Sequence, residues 1–203
     1  TSNVAAGMLY GLELRGTHAH AFVTAFEGPE NLPTRALGPV EDFWELVLQK
    51  RARLKYTTTN IGELAAFTAY AQAFPDGFVA LVDTYDTLKS GVPNFICVAL
   101  ALMDAGFRPI GIRLDSGDLA YLSVQSREMF LDAGKEFQVD LSHVQILASN
   151  DINESVLAAL DDQGHSIDAF GVGTNLVTCQ AQPALGMVYK LVEIKKRGVQ
   201  KLS

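Results

Sequence analysis

From residue 77 onward, short apolar runs alternate with longer stretches whose apolar residues recur at helical spacing. GFVALVD (77–83), RPIGIRLD (108–115), HVQILAS (143–149) and IDAFGVG (167–173) read as strands. Between them, GVPNFICVALALMDAG (91–106) reads as a buried helix. LAYLSVQSREMFLDAG (119–134) sets Leu119, Leu122, Met129, Phe130 and Ala133 near one helical face, and INESVLAALDDQG (152–164) reads as a third helix. Strand starts recur 24 to 35 residues apart, each pair separated by one helix and short glycine-containing loops. That is the rhythm of βαβ units and of a parallel sheet. The strands are apolar nearly throughout, as a sheet covered on both faces requires.

Upstream, LELRGTHAHAF (12–22) reads as a further strand, followed by two helices. The first carries Val40, Phe43, Trp44, Val47, Leu48 and Arg51 at helical spacing, and the second runs from about residue 60 to 74. Between strand and helices, GPENLPTRALGP (28–39) holds three prolines and two glycines and reads as a loop. After Gly186, MVYKLVEIKK (187–196) alternates like a terminal strand. An α/β barrel needs eight strands and about 250 residues, so 203 residues suit most of one barrel domain. An open doubly wound parallel sheet is the alternative. The chain opens TSNVAAG without a methionine and closes GVQKLS after a strand-like run. The expectation is a piece of a longer polypeptide, 1–203 being most of one α/β barrel domain without its N- and C-terminal parts.

Composition narrows the function. With 16 Lys+Arg against 23 Asp+Glu and a net charge of −7, the chain lacks the basic face of a nucleic-acid binder. The basic runs at 50–55 and 195–197 read as solvated ends of apolar elements. Two cysteines, Cys97 and Cys179, lie far apart in apolar neighbourhoods, which is neither a disulfide framework nor a metal-ligand spacing and suggests a reducing compartment. No run of about 18 apolar residues predicts a membrane span. Asn153 begins a glycosylation sequon of a kind frequent by chance.

Polar residues gather where the strands end. Asp83 and Asp86 follow the first, Arg113, Asp115 and Asp118 the second, Asn150 and Asp151 the third, Thr174 and Asn175 the fourth. In parallel α/β folds that end is the active-site face, and this set suits a ligand bearing hydroxyls, phosphates and a divalent cation. Other roles compete residue by residue. Asp118 and Asp151 stand where helices begin and can serve as caps, Asp151 with Glu154 resembling a capping box. Asp83 can pair with a nearby cation. Arg113, inside an apolar strand, calls for an anionic partner. The Gly-x-Gly-Thr turn in FGVGTNLVTC can hold a phosphate on its N–H groups and hydroxyl, or can simply be tight; it lacks the third glycine of a dinucleotide fingerprint. In GTHAH, His18 and His20 share a face if the segment is a strand. A metal would lack a third ligand nearby, and a phosphate-accepting or acid–base histidine is the other reading. His143 and His165 fall on predicted loops. Lys89 is the lysine nearest a strand end, in a helical context that makes it a poor Schiff base for a barrel lyase or aldolase.

In this order, TSNVAAG, RGTHAHAF, LVDTYDTLKSGVPNF, GIRLDSGDLAYLS, ASNDINE and GVGTNLVT closely resemble nicotinate phosphoribosyltransferase of the animal type, over nearly the whole chain. The resemblance implies a type II phosphoribosyltransferase fold, an irregular TIM-like barrel beside a second domain largely outside this chain. It implies a cytosolic homodimer with the active site near the subunit interface. The implied reaction is ATP-coupled synthesis of nicotinate mononucleotide from nicotinate and 5-phosphoribosyl 1-pyrophosphate, a step of NAD biosynthesis, with Mg2+ or Mn2+ as cofactor. On the motif Gly-Thr-x-Ala-His, His20 is the phosphorylated histidine, His18 falls at the variable position and is not expected to be essential, and Thr17 contacts nicotinate. Arg113 takes the nicotinate carboxylate and Thr174 belongs to the phosphoribosyl-phosphate turn. By similarity to the nicotinamide-using sister family, Asp115, Asn150, Asp151 and Gly173 line ribose and phosphate. Ser2 stands where that family has an aspartate, removing a charge that would repel a carboxylate. The resemblance identifies no metal ligands. A non-catalytic paralogue, or a barrel fragment that binds ligand only, is the alternative.

Overall fold

The computed structural model of this chain describes residues 3–178 and 189–199. Its sheet has four parallel strands, β1 (Val79–Leu81), β2 (Gly111–Leu114), β3 (Gln145–Ala148) and β4 (Ala169–Phe170), adjacent in sequence order. The crossovers are α5 (Val92–Asp104), α6 (Leu119–Phe137) and α7 (Glu154–Gln163), so the βαβ rhythm of the sequence is realised element for element. The order runs without the reversal of a doubly wound sheet. Right-handed crossovers then place all three helices on one face, where α5 packs on α6 and α6 on α7. This is the winding of a barrel wall and equally of one half of an open parallel sheet.

Alternation divides each strand between two faces. Ala80, Val82, Ile112, Leu114, Ile146 and Ala148 point toward the helices and are buried. The register aligns Leu81, Arg113, Leu147 and Ala169 in one row on the opposite face. Helix α5 is apolar almost all round because it is enclosed: the sheet lies on one side, and α3 (Phe43–Arg53) and α4 (Ile61–Ala73) on the other. Each large side chain it buries, such as Phe95, Ile96 and Leu102, contributes about 1.5–3 kcal/mol. Asp42 and Asn60 start α3 and α4 by accepting the N–H groups of Glu45 and Glu63, each at 2.9 Å.

Between β1 and α5 the chain makes a five-residue π-helical turn, Thr87–Gly91, capped by Asp86, which accepts the Lys89 N–H at 2.9 Å. Gly91 is required there, since a Cβ would collide with the carbonyl oxygen of Val82. The turn is thereby pressed onto the end of β1.

Two expectations are corrected. Residues 12–19 form no strand; after α1 (Val4–Tyr10) the chain runs irregularly until α2 (His20–Thr24) begins at His20. The loop expected at 28–39 is present, with a 3-10 turn at Pro29–Asn31 and a bridge from Leu37 to Val40. The terminal strand is instead a small hairpin of β5 (Glu193–Ile194) and β6 (Arg197–Gly198). Its turn residues Lys195 and Lys196 sit at φ 48° and 65°, a conformation lysine does not advertise in a sequence. Residues 187 and 188 of that alternating run lie outside the described residues.

Candidate functional site

Counting two residues past the row Leu81, Arg113, Leu147, Ala169 gives Asp83, Asp115, Ser149 and Gly171. The ladder continues that far: Ser149 N–H donates to Leu114 O at 2.9 Å and Gly171 N–H to Ala148 O at 2.8 Å. The inward face therefore passes from an apolar row holding one arginine to a polar row at the strand ends. Asp83, 2% exposed, accepts the Asp115 N–H at 3.2 Å and the Ser116 hydroxyl. Asp115 in turn accepts the Ser149 hydroxyl. Asp83 thus braces the chain leaving β2.

Against this row lies the segment 17–20. Thr17 Oγ1 accepts from Arg113 Nη1 at 2.6 Å. His20, the first residue of α2, sets Nδ1 3.1 Å from Thr84 Oγ1 and Nε2 3.9 Å from both Asp83 Oδ1 and Asp115 Oδ2. His18 is buried in a ring cluster with Phe22, Phe67 and Tyr70. Its Nε2 accepts the Leu81 N–H at 3.0 Å, and burial lowers its pKa to about 4. The two histidines therefore take different partners rather than one face of a strand. Among the described residues Arg113 makes no ion pair and its buried Nε has no hydrogen-bond partner.

Behind the loop from β1 lies a second carboxyl. Glu63 is fully buried, accepting the Ser90 hydroxyl at 2.5 Å and Asn94 Nδ2 at 3.0 Å. Burial raises its pKa to about 7, against the opposing pull of those two bonds. Ser90 also accepts the Asn60 N–H at 2.9 Å, so Glu63 ties the start of α4 to the π-helical turn. The sequence pattern Asn60-x-x-Glu63 marks a helix start; nothing in it signals that the glutamate is buried.

Of the residues picked from sequence, the structure brings together Thr17, His20, Asp83, Arg113 and Asp115. The residues missed are Thr84, Ser116 and Ser149; Ser149 falls beside Asp115 only through the register that pairs Arg113 with Leu147. Asp118 caps α6, accepting the Tyr121 N–H at 3.0 Å, and Asp86 caps the π-helical turn. Asp151 is not a cap, and its suggested capping box with Glu154 does not form. Asn153 holds that position, accepting the Val156 N–H at 3.0 Å, because Asn150 and Asp151 are turned aside at φ 96° and 49°. Asn150, Asp151, Gly173 and Thr174 hydrogen-bond to none of the Arg113 cluster among the described residues. Thr174 opens α8 (Thr174–Val177), and an open hollow beside it is lined by Asn153, Glu154, Ser155 and Asn175. Ser2 and Cys179 lie outside the described residues. Cys97 is buried, its thiol pushed up to about 12 and unreactive. His165 bonds Asp161 and the Ile167 N–H.

Among the described residues no three His, Cys, Asp or Glu side chains are placed to hold a metal ion. Asp83 and Asp115 both commit oxygens to serine hydroxyls. These residues do not make a protein-borne magnesium site. Magnesium commonly arrives with phosphate oxygens and water as its main ligands. No described helix is long and apolar enough to cross a membrane.

No protein-family model matches the chain. Across 100% of its length it is 56% identical to nicotinate phosphoribosyltransferase of Dictyostelium discoideum, covering 35% of that protein. It is 51% identical to nicotinate phosphoribosyltransferase 1 of Arabidopsis thaliana and 43% to the human enzyme, covering 39% and 40% of them. The chain thus spans 35–40% of the length of these curated relatives. The crystal structure of human nicotinic acid phosphoribosyltransferase superposes with a TM-score of 0.75 at 42% identity, covering 84% of this chain and 37% of that one. A nicotinate phosphoribosyltransferase from Porphyromonas gingivalis shares the fold, with a TM-score of 0.53 at 21% identity over 86% of this chain and 36% of its own.

Proposed function

This chain is homologous along its whole length to nicotinate phosphoribosyltransferases, and we propose that the protein containing it joins nicotinate to 5-phosphoribosyl 1-pyrophosphate in an ATP-coupled reaction. The products of the transfer are nicotinate mononucleotide and pyrophosphate. The observation that carries this reading is Arg113: among the described residues, a guanidinium with no ion pair, an unpartnered buried Nε and one Nη held by Thr17. A carboxylate is one of the two groups, with phosphate, that such a fork accepts bidentately. Nicotinate supplies it, and fixing that carboxylate orients the ring nitrogen for attack.

In the transfer, the ring nitrogen forms a bond to C1 of the ribose as the C1–oxygen bond to pyrophosphate breaks, the electron pair leaving with pyrophosphate. Positive charge develops on the ribose, and Asp115, with its side chain one third exposed beside Arg113, supplies negative charge and hydroxyl-binding oxygens there. No step is assigned to a metal.

For the ATP half-reaction, the two carboxylates at 3.9 Å favour the His20 tautomer with its proton on Nε2. The Nδ1 lone pair then faces the Thr84 hydroxyl and is the nucleophile. It attacks the γ-phosphorus, the bond to ADP breaks, and the proton on Nε2 of the resulting cation is held by Asp83 and Asp115. Hydrolysis of the phosphohistidine returns phosphate and the free ring.

The test is an assay of the full-length protein with phosphoribosyl donor and ATP, offering nicotinate or nicotinamide and following mononucleotide. Product from nicotinate and little from nicotinamide is expected. No product from either acid or amide contradicts the reading.

A further inference from the structure

Alternate amides of a parallel strand point to opposite neighbours. Val82 N–H donates to Arg113 O on β2, so the Leu81 N–H points away from β2, off the edge of the described sheet. A buried amide left there without an acceptor forfeits its hydration with nothing in return. His18 supplies the acceptor at 3.0 Å. An amide can only donate, so His18 Nε2 carries the lone pair and the ring proton belongs on Nδ1, which faces Ala19 O at 3.4 Å. A charged ring would lose this bond. Burial opposes that charge, as do Arg113 and His20, which together with Tyr70 are the titratable groups facing the ring.

The residues on either side of His18 make the site's own contacts. Thr17 meets Arg113 at 2.6 Å and His20 meets Thr84 at 3.1 Å, within a stretch that has no ladder to hold it until α2 begins. An irregular segment keeps such contacts only if something fixes it between them. The buried member of the three is His18, fastened to the backbone of the neighbouring strand.

We propose that His18 is a positioning residue of the active site: as acceptor for the Leu81 N–H it docks residues 17–20 on the end of β1, and so sets Thr17 against Arg113 and His20 against Thr84 and the two carboxylates. This rests on the function proposed above. An apolar side chain of similar size fills the same space yet leaves the amide unpaired, so volume alone does not replace it.

The test compares His18→Phe, which keeps the aromatic packing, with His18→Gln, which keeps an acceptor, in the full-length protein. His18→Phe is expected to lower kcat/KM for nicotinate on the order of 10- to 100-fold and to weaken ATP stimulation. The KM for the phosphoribosyl donor should stay within about twofold, and His18→Gln should recover most of the loss. Wild-type nicotinate KM and ATP stimulation in His18→Phe overturn the proposal. Should that variant not fold, 15N spectra of the histidine-labelled wild-type protein decide: a neutral ring protonated on Nδ1 at pH 7, still neutral near pH 5, is expected. A His18 ring protonated on Nε2, or titrating at the ordinary histidine pKa, overturns the docking whether or not the protein makes mononucleotide. Absence of activity in the wild type contradicts the proposed function and leaves the ring spectrum to judge the docking.

Discussion

At the scale of single residues, the site follows from counting by twos along neighbouring strands. Arg113 and Asp115 were visible in the sequence because a cation and a carboxylate are conspicuous at the end of an apolar run. Thr84, Ser116 and Ser149 were not, because hydroxyls occur everywhere and become informative only once a register places them beside Asp83, Asp115 or His20. The same holds for His18, which the motif marks as a variable position and the structure places on the Leu81 amide. His20 carries the residue-scale prediction. His20→Ala removes the proposed nucleophile for ATP but none of the groups proposed to bind nicotinate, so it should abolish ATP stimulation while a slower ATP-independent synthesis persists. Rates with and without ATP measure this, and undiminished stimulation in the variant contradicts the phosphohistidine role.

At the scale of elements, periodicity located four strands and their three helices, since a buried parallel strand and an enclosed helix leave unmistakable apolar runs. It fails at 12–22, where the alternation of THAHAF predicts a strand and the structure has none over 12–19. The side chains there are taken one at a time by Arg113, Leu81 and Thr84, which is not a ladder and has no period. It also could not show that α4 and the π-helical turn meet at a buried glutamate. Glu63 has a pKa raised from 4.5 to about 7, so between those values the folded state holds a proton that the unfolded state has lost. Stability from this group is therefore greatest below pH 4.5 and falls as pH rises toward 7, by up to about 3 kcal/mol. His18, lowered from 6.5 to about 4, acts in the opposite sense, its contribution lost as pH falls through that window. Glu63→Gln isolates the first effect: relative to wild type, the variant should gain stability steadily from pH 5 to pH 7 in urea unfolding. A difference between the two proteins that is flat across that range contradicts the assignment.

At the scale of the whole molecule, strands in the order β1-β2-β3-β4, with α5, α6 and α7 on one face, give a curved wall whose inner face and C-terminal edge carry the chemistry. The sequence rhythm predicted a parallel sheet but left barrel and doubly wound winding open, because order within a sheet is a long-range property. The wall places on its inner face a guanidinium with no ion pair among the described residues, beneath two carboxylates that flank an imidazole. That division makes Arg113 the discriminating residue: it should serve the acid substrate and not the phosphoribosyl donor. The most direct measurement is steady-state kinetics of Arg113→Ala in the full-length protein with each substrate varied in turn. Loss of a charged hydrogen-bonded pair should raise the nicotinate KM on the order of 10- to 100-fold, with the donor KM within about twofold of wild type; an equal rise in both would contradict the account.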